Sequence, residues 1–574
     1  MKRNSRKKLV FLERNRPIVW TPLEYETELL EKAESKIFKP TIAFCNGIAS
    51  GGEFIVTLSY KKRISEELET KEYPLSIFNE KGIIGLPFKI TLPKSLDIPG
   101  VLYKDSYGLT NELTLTRDGK KYYTEQDSVK DFRTVFPRKP QILEGVFTNF
   151  KSSNNPFPIS FFRLVIQVKD TDMIYPTSIL ESHNHMKFDY PNWERQSSLM
   201  GIPFFTTKGM FSELIINENK FHFYGLEPIK AFIIDSLYKL SIDEFIKYTY
   251  AIRLCFAFLS GKFYRDEVVF LASGNADFST IDNFDYRVES PSVITNNQII
   301  NPNFFFDQYR QKKKSSKENW KQHHNMFSTK NFSSLCEKVL ESPELMRSIE
   351  LIVNAGNTND PIQKGALYSV SIETITEYFK SKNESAFKPI SDKRTWRKFL
   401  KLAKESLEEI KPEIDEMGYK ILNSKIENLN SSTNRDKLIK PFELHGIILT
   451  EDELSTLEHR NSYLHGGQPK DIKWKTEMDI IALKLHSLVG MLLLKSIGYS
   501  GHFIHLPAWH ILHDREAKSI MEKMNFEVFK KVYEKVKNQE IKNLEELDRA
   551  KEVLENAERF FKSASEIENI IRII

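Results

Sequence analysis

The hydrophobic period of this chain changes once along its length, between residues 290 and 331, and that switch limits the folds open to it more than any other feature. Upstream, from about residue 38, apolar residues come in short β-branched and aromatic runs bounded by Gly, Pro and Asn. Thr41–Cys45, Glu53–Tyr60, Phe88–Leu92 and Phe161–Val168 are such runs, and each predicts a strand. Asp118-Gly119 sits between the alternating segments of Leu113–Thr124 and predicts a tight hairpin, and Glu213–Tyr224 reads as another. One helix interrupts this pattern. Ser241 with Glu244 forms a capping box, and Phe245, Tyr248, Ile252, Phe256 and Leu259 follow at helical spacing as a core face.

Downstream of residue 331 the apolar residues recur at helical spacing. Ser342-Pro343 stops one helix and starts another, and Leu367, Val370, Ile372, Ile375 and Phe379 mark the apolar positions of the next. Trp396–Ile410 is amphipathic and ends at Pro412. Thr450 and Glu453 form a second capping box, and Trp474–Ile497 carries a long apolar stripe through Met478, Ile481, Leu485, Leu488, Leu492 and Leu493. These readings predict an α+β multidomain protein. It has a basic arm (1–20), a β-rich, sandwich-like module (21–290), a basic linker (291–330), an all-α bundle (331–500) and a charged helical extension (501–574).

Composition narrows the setting. A chain of 574 residues exceeds one core, and three widely spaced cysteines, Cys45, Cys255 and Cys336, offer no disulfide framework and no metal-binding pattern. A reducing cytoplasm is expected. The basic start is followed by only Leu9–Leu12 before charge returns, so no signal peptide is read. Lys484 and His486 break the most apolar stretch, so no membrane span is expected either. The net charge of +5 permits a nucleic-acid partner without requiring one. Local runs are more suggestive: Lys2, Arg3, Arg6, Lys7 and Lys8 form one. Lys312–Lys314 with Lys317 and Lys321, interleaved with Phe304–Phe306, Tyr309 and Trp320, form another that suits phosphates and stacked bases, or a solvated linker.

The chemistry concentrates in Leu457-Glu458-His459-Arg460-Asn461-Ser462-Tyr463-Leu464-His465-Gly466-Gly467. A permanently charged guanidinium and a near-neutral imidazole, close together near a helix end, are the groups that cleave a phosphodiester without metal. On an ideal helix Asn461 and His465 lie about 40° apart, whereas Arg460 lies about 140° from His465. Joint action of Arg460 and His465 therefore requires a frayed helix end or a cleft that receives both faces. Gly466-Gly467 supplies the stop that makes such an end feasible.

Arg460-Asn461-x3-His465 resembles the Arg-x4–6-His motif of the HEPN superfamily, with the polar residue that commonly follows the arginine. Ile426–Leu438 and Pro441–Thr450 look like the helix and connection that precede the motif in HEPN domains of large bacterial proteins, many of them abortive-infection or phage-defence factors. The resemblance covers residues 331–500, less than a third of the chain. The order of an aromatic-rich β module followed by this domain is similar to anti-phage HEPN proteins, on length and composition alone. The resemblance implies a metal-independent endoribonuclease with no cofactor. His465 would serve as general acid or base, Arg460 would stabilise the phosphorane-like transition state, and Asn461 would orient the phosphate or the imidazole. It further implies a homodimer whose paired sites share one cleft, an RNA substrate such as tRNA, and a phage-derived trigger sensed by residues 21–290.

Two alternatives stand beside it. Arg460 can instead pair with Glu458 or Glu373 while His465 caps the helix, which leaves a non-catalytic dimerisation or RNA-binding scaffold. His502, His505, His510, His513 and Asp514, with His183 and His185, offer zinc-capable side chains but at no recognised ligand spacing, so no metal is assigned. Residues 515–574 read as a helix packed on the bundle or mediating self-association.

Overall fold

The computed structural model describes residues 34–61, 68–78, 80, 83–92, 109, 111–135, 141–168, 173–182, 184–189, 208–226, 230–300, 326–467, 475–507 and 571–573. The basic arm, the Lys312–Lys321 run, His183, His510, His513, Asp514 and nearly all of the expected helical extension lie outside these residues.

The strands of the amino-terminal region are β1 (Glu34–Ile37), β2 (Gly52–Lys61), β3 (Leu68–Ile77), β4 (Leu86–Leu92), β5 (Thr114–Arg117), β6 (Lys120–Tyr123), β7 (Val129–Val135), β8 (Gln141–Phe147), β9 (Asn149–Lys151), β10 (Phe161–Gln167), β11 (Asn184–Asp189), β12 (Lys208–Ile216), β13 (Asn219–Leu226), β14 (Ala231–Ser236), β15 (Lys262–Phe263), β16 (Glu267–Ser273), β17 (Asn283–Val288) and β18 (Val293–Ile294). Sixteen of them form one sheet in the order β1-β11-β12-β13-β14-β10-β16-β17-β9-β6-β5-β2-β3-β4-β8-β7, while β15 pairs with β18. The ladder is antiparallel except for β1 on β11. Both expected hairpins form, each on a turn with two positive φ values, Asp118-Gly119 (50° and 73°) and Asn217-Glu218 (47° and 69°).

The central strands are buried on both faces, which is why Phe161–Val168 reads as a nearly continuous apolar run. Phe162, Leu164 and Ile166 face one core, and Val165 faces a second that also holds Val56, Leu75 and Phe88. Because that second core joins strands far apart in the ladder, the single sheet curls over itself.

The first helix corrects the sequence reading. Thr41–Cys45, expected as a strand, lies within α1 (Lys39–Ser50). Phe38, Ile42 and Cys45 are buried at helical spacing, and Pro40 stands in the first turn, where its missing N–H costs nothing. The short apolar run concealed that period. Gly51 then turns the chain into β2 with φ +72°, where a Cβ would come within 2.0 Å of the Ile77 carbonyl oxygen. Helix α2 (Ile242–Ser260) carries the expected capping box at Ser241 and Glu244 and ends on left-handed Gly261.

The helical region comprises α3 (Thr329–Glu341), α4 (Pro343–Ala355), α5 (Pro361–Lys382), α6 (Lys393–Glu409), α7 (Glu416–Glu427), α8 (Asn434–Leu444), α9 (Glu451–Leu464) and α10 (Lys475–Ser496). Ser342 closes α3 and caps α4, and its hydroxyl accepts from the Leu345 N–H. A single core runs from the sheet through α2 into α3, α4, α5, α9 and α10, with Phe223 of β13 stacked on Phe332 of α3 at 6.5 Å. Ile299 and Ile300, within the expected linker, are part of this core. The Trp396–Ile410 stretch is helical, but only Leu407 of α6 is buried, and Phe399 and Leu402 stay exposed. The expected carboxy-terminal helix also needs correction at its end. Ile571–Ile573 is a strand, β20, pairing antiparallel with β19 (His502–Ile504). No helix among the described residues is long and apolar enough to cross a membrane.

Candidate active site

Helix α9 starts as its sequence requires. The Thr450 N–H donates to Glu453 Oε2 at 2.9 Å, and the Glu453 N–H donates to Thr450 Oγ1 at 3.3 Å. From that start Glu453, Thr456, Leu457, Arg460 and Tyr463 fall on one buried stripe. Tyr463 fixes the register against α10 by donating to the Met478 carbonyl at 2.8 Å, and its ring lies so near α5 that a Cβ on Gly365 would approach it to 2.4 Å. Burial pushes the Tyr463 phenol well above its ordinary range, so it acts as a neutral donor.

Arg460 is therefore part of the inner face of α9. It is 7% exposed, and its Nη1 lies 3.1 Å from Glu373 Oε1 on α5 and also donates to Asn461 Oδ1. The anticipated pairing with Glu373 is present. The Arg460 Nε is buried with no hydrogen-bond partner among the described residues. A cleft of about 120 Å³ between α8 and α9 is lined by Arg460 and Asn461, by Asn434, Arg435 and Leu438 of α8, and by Glu458. Two guanidinium groups and one carboxylate leave it net positive by one charge.

His465 stands elsewhere. It occupies the C-cap of α9, is exposed, and donates its backbone N–H to the Asn461 carbonyl at 3.2 Å. The helix closes with the Gly466 N–H on the Tyr463 carbonyl (3.0 Å) and the Gly467 N–H on the Ser462 carbonyl (2.8 Å), with Gly466 at φ +69°. This Schellman ending is regular. The terminus does not fray, and the ideal-helix separation persists: Asn461 and His465 share the solvent side while Arg460 points inward.

Reading the motif alone missed Arg435. It lies two residues after Thr433, whose side chain forms a capping box with Asp436, so its place at a helix start was available from the cap signal, while its position beside α9 was not. Among the described residues no group of three or more His, Cys, Asp or Glu side chains is arranged to hold a metal.

Chemically, the cleft offers a partly committed guanidinium, a second guanidinium at the rim and a carboxamide, a set suited to a phosphate group. The imidazole lies on the adjoining exposed surface. No family profile, curated protein or solved structure matches this chain.

Proposed function

We propose that the protein is a HEPN-type, metal-independent endoribonuclease that cuts cellular RNA, in the manner of bacterial anti-phage factors acting by abortive infection. The observation that carries this reading is Arg460 itself, a buried guanidinium whose Nε has no partner among the described residues and which lines a cleft together with Arg435 and Asn461. A guanidinium placed there without a full set of protein acceptors retains donors for a phosphate, and it strengthens as charge builds on the phosphorane-like transition state. His465, one turn beyond and exposed, would exchange the proton with the ribose 2′-OH or the leaving 5′-oxygen. Because Arg460 and His465 point to different sides of α9, a complete site within this reading pairs the cleft of one subunit with the exposed helix end of another in a homodimer.

The non-catalytic reading has its own support in the Arg460–Glu373 ion pair, which gives Arg460 a structural partner. One experiment separates the two. Total RNA is incubated in EDTA with wild type, Arg460→Ala and His465→Ala, each shown to be folded by its melting curve. Cleavage by wild type alone, leaving 2′,3′-cyclic phosphate ends, is the expected result. Equal behaviour of all three proteins would falsify the nuclease assignment.

A further inference from the structure

The amino-terminal region holds a second cavity, of about 200 Å³, between α1 and the curled sheet. Five aromatic rings line it, those of Phe44, Phe54, Tyr122, Phe150 and Phe284, together with one charged side chain, Arg117. The rings already contact one another in the geometries aromatic groups prefer. Tyr122 stacks on Phe150 at 5.4 Å, Phe54 meets both of them edge-on at 5.8 Å, and Phe44 of α1 lies 4.5 Å from Phe284. The Arg117 guanidinium is held at the rim, 5.3 Å from the centre of the Phe54 ring and against Gly52, where a Cβ would come within 2.4 Å of Nη1. Its nearest carboxylate, Asp118, is 3.7 Å away and 89% exposed, a pairing too solvated to satisfy it. No carboxylate lines the cavity.

The wall supplied by α1 has a further peculiarity. Gly47 lies inside the helix, where glycine is unfavourable, and a Cβ there would meet nothing within 4 Å. Protein packing does not call for glycine at this position. A bare backbone on a cavity wall lets a bound molecule approach closely.

We propose that this cavity binds a small planar aromatic ligand bearing an anionic substituent, with its ring among Phe54, Tyr122 and Phe150 and its anion at Arg117. The size agrees: a dry apolar cavity of roughly 150 Å³ accepts benzene, so this one holds one ring or a compact fused pair. The charge agrees as well, since a single rim cation selects an acid over a neutral ring. This inference is independent of the Arg460 cleft. It assigns residues 34–300 a small-molecule site, and with it a chemical input to the protein.

Isothermal titration with naphthalene-2-sulfonate and with neutral 2-naphthalenemethanol tests it, using the full chain as wild type, Arg117→Gln and Tyr122→Leu, with melting curves for each. Arg117 is exposed and lies next to a hairpin turn, so its substitution leaves the fold intact. The expected result is that Arg117→Gln weakens the sulfonate about tenfold and leaves the neutral ring unchanged, whereas Tyr122→Leu weakens both by a similar factor. A parallel titration with AMP identifies the source of the anion. AMP binding that Arg117→Gln weakens points to nucleotides, and sulfonate binding without AMP binding points to aromatic acids. Failure of all three probes to bind wild type at millimolar concentration, or equal sulfonate affinity for wild type and Arg117→Gln, overturns the proposal.

Discussion

Arg163 on β10 and Arg460 on α9 are both buried, at 1% and 7% exposure, yet their surroundings are opposite in kind. Arg163 is engaged at all three of its nitrogens. Its Nε and Nη2 donate to the two Asp235 oxygens at 2.7 and 3.2 Å, and its Nη1 donates to the Ile37 carbonyl and to Thr41 Oγ1, each at 2.9 Å. Phe38 and Phe278 cover its faces. Lys36 and Tyr224 complete the shell of Asp235, at 3.1 and 2.7 Å. Only Nη1 of Arg460 is engaged among the described residues, and its acid partner Glu373 is 42% exposed. Arg253 also leaves Nε free, but Glu289 holds both its terminal nitrogens, at 2.8 and 3.0 Å. The difference separates a guanidinium that builds a fold from one that, in the proposed reading, is kept for a ligand. The first has spent its donors on the protein, and the second has not.

The largest effect expected from this contrast is in Arg163→Met. Removing the guanidinium leaves Asp235 charged and buried with one remaining cation, and it removes the bonds to Ile37 at the end of β1 and to Thr41 of α1. A destabilisation of about 3–5 kcal/mol is expected, read from urea unfolding. A loss below about 1 kcal/mol would mean that α1 is held by packing alone.

The same network makes the amino-terminal region sensitive to acid. Burial, and then the charge of Lys36, pull the His222 imidazole down to about 3, and Lys36 Nζ lies 2.7 Å from its Nδ1 as the donor to a neutral ring. In the unfolded chain the imidazole titrates near ~6.5. Between these values the unfolded state takes up a proton that the folded state refuses, so stability falls as pH drops below about 6.5, by up to about 1.4 kcal/mol per pH unit, and is unaffected above it. Asp235, held below the ordinary carboxylate range mainly by Arg163 and Lys36 against its own burial, adds its loss only at lower pH. His222→Gln should therefore flatten the urea midpoint between pH 6.5 and 4 relative to wild type. Parallel pH profiles for the two proteins would remove His222 from the account.

Much of this organisation was legible because local signals agreed with the final packing. The switch from period two to helical period marked the change from sheet to helices, and three capping motifs at Ser241, Ser342 and Thr450 located helix starts. The reading failed where a short segment answers to a partner far away. Thr41–Cys45 has too few residues to reveal its period, and its partners lie far along the chain: Arg163, over a hundred positions later, donates to Thr41 Oγ1. Ile571–Ile573 pairs with a strand near residue 503, a match that periodicity within either segment does not contain. At the candidate site the residue types and the angular separation of Arg460 from His465 were readable from helix geometry. The cleft was not, because it needs α8 to bring Arg435 beside α9. One clue was overlooked: an arginine within the apolar run Phe161–Val168 of a strand buried on both faces implies a buried acid, here Asp235.

The smallest expected effect is the stability change in Arg460→Met, and it bears most directly on the contrast. The substitution keeps an unbranched apolar stem along the inner face of α9 and removes a guanidinium that leaves its Nε unsatisfied. Glu373, freed from its partner, is exposed enough to return to water. The stability lost should stay within about 1 kcal/mol, against several for the same substitution at Arg163. Urea unfolding of both variants under one set of conditions gives the ratio directly. Comparable losses at the two positions would make Arg460 a structural arginine like Arg163, and any loss of RNA cleavage in Arg460→Ala would then follow from a weakened bundle rather than from a missing contact to phosphate. A large difference in stability, with cleavage lost in both Arg460 variants, ties the Arg460 guanidinium to the substrate.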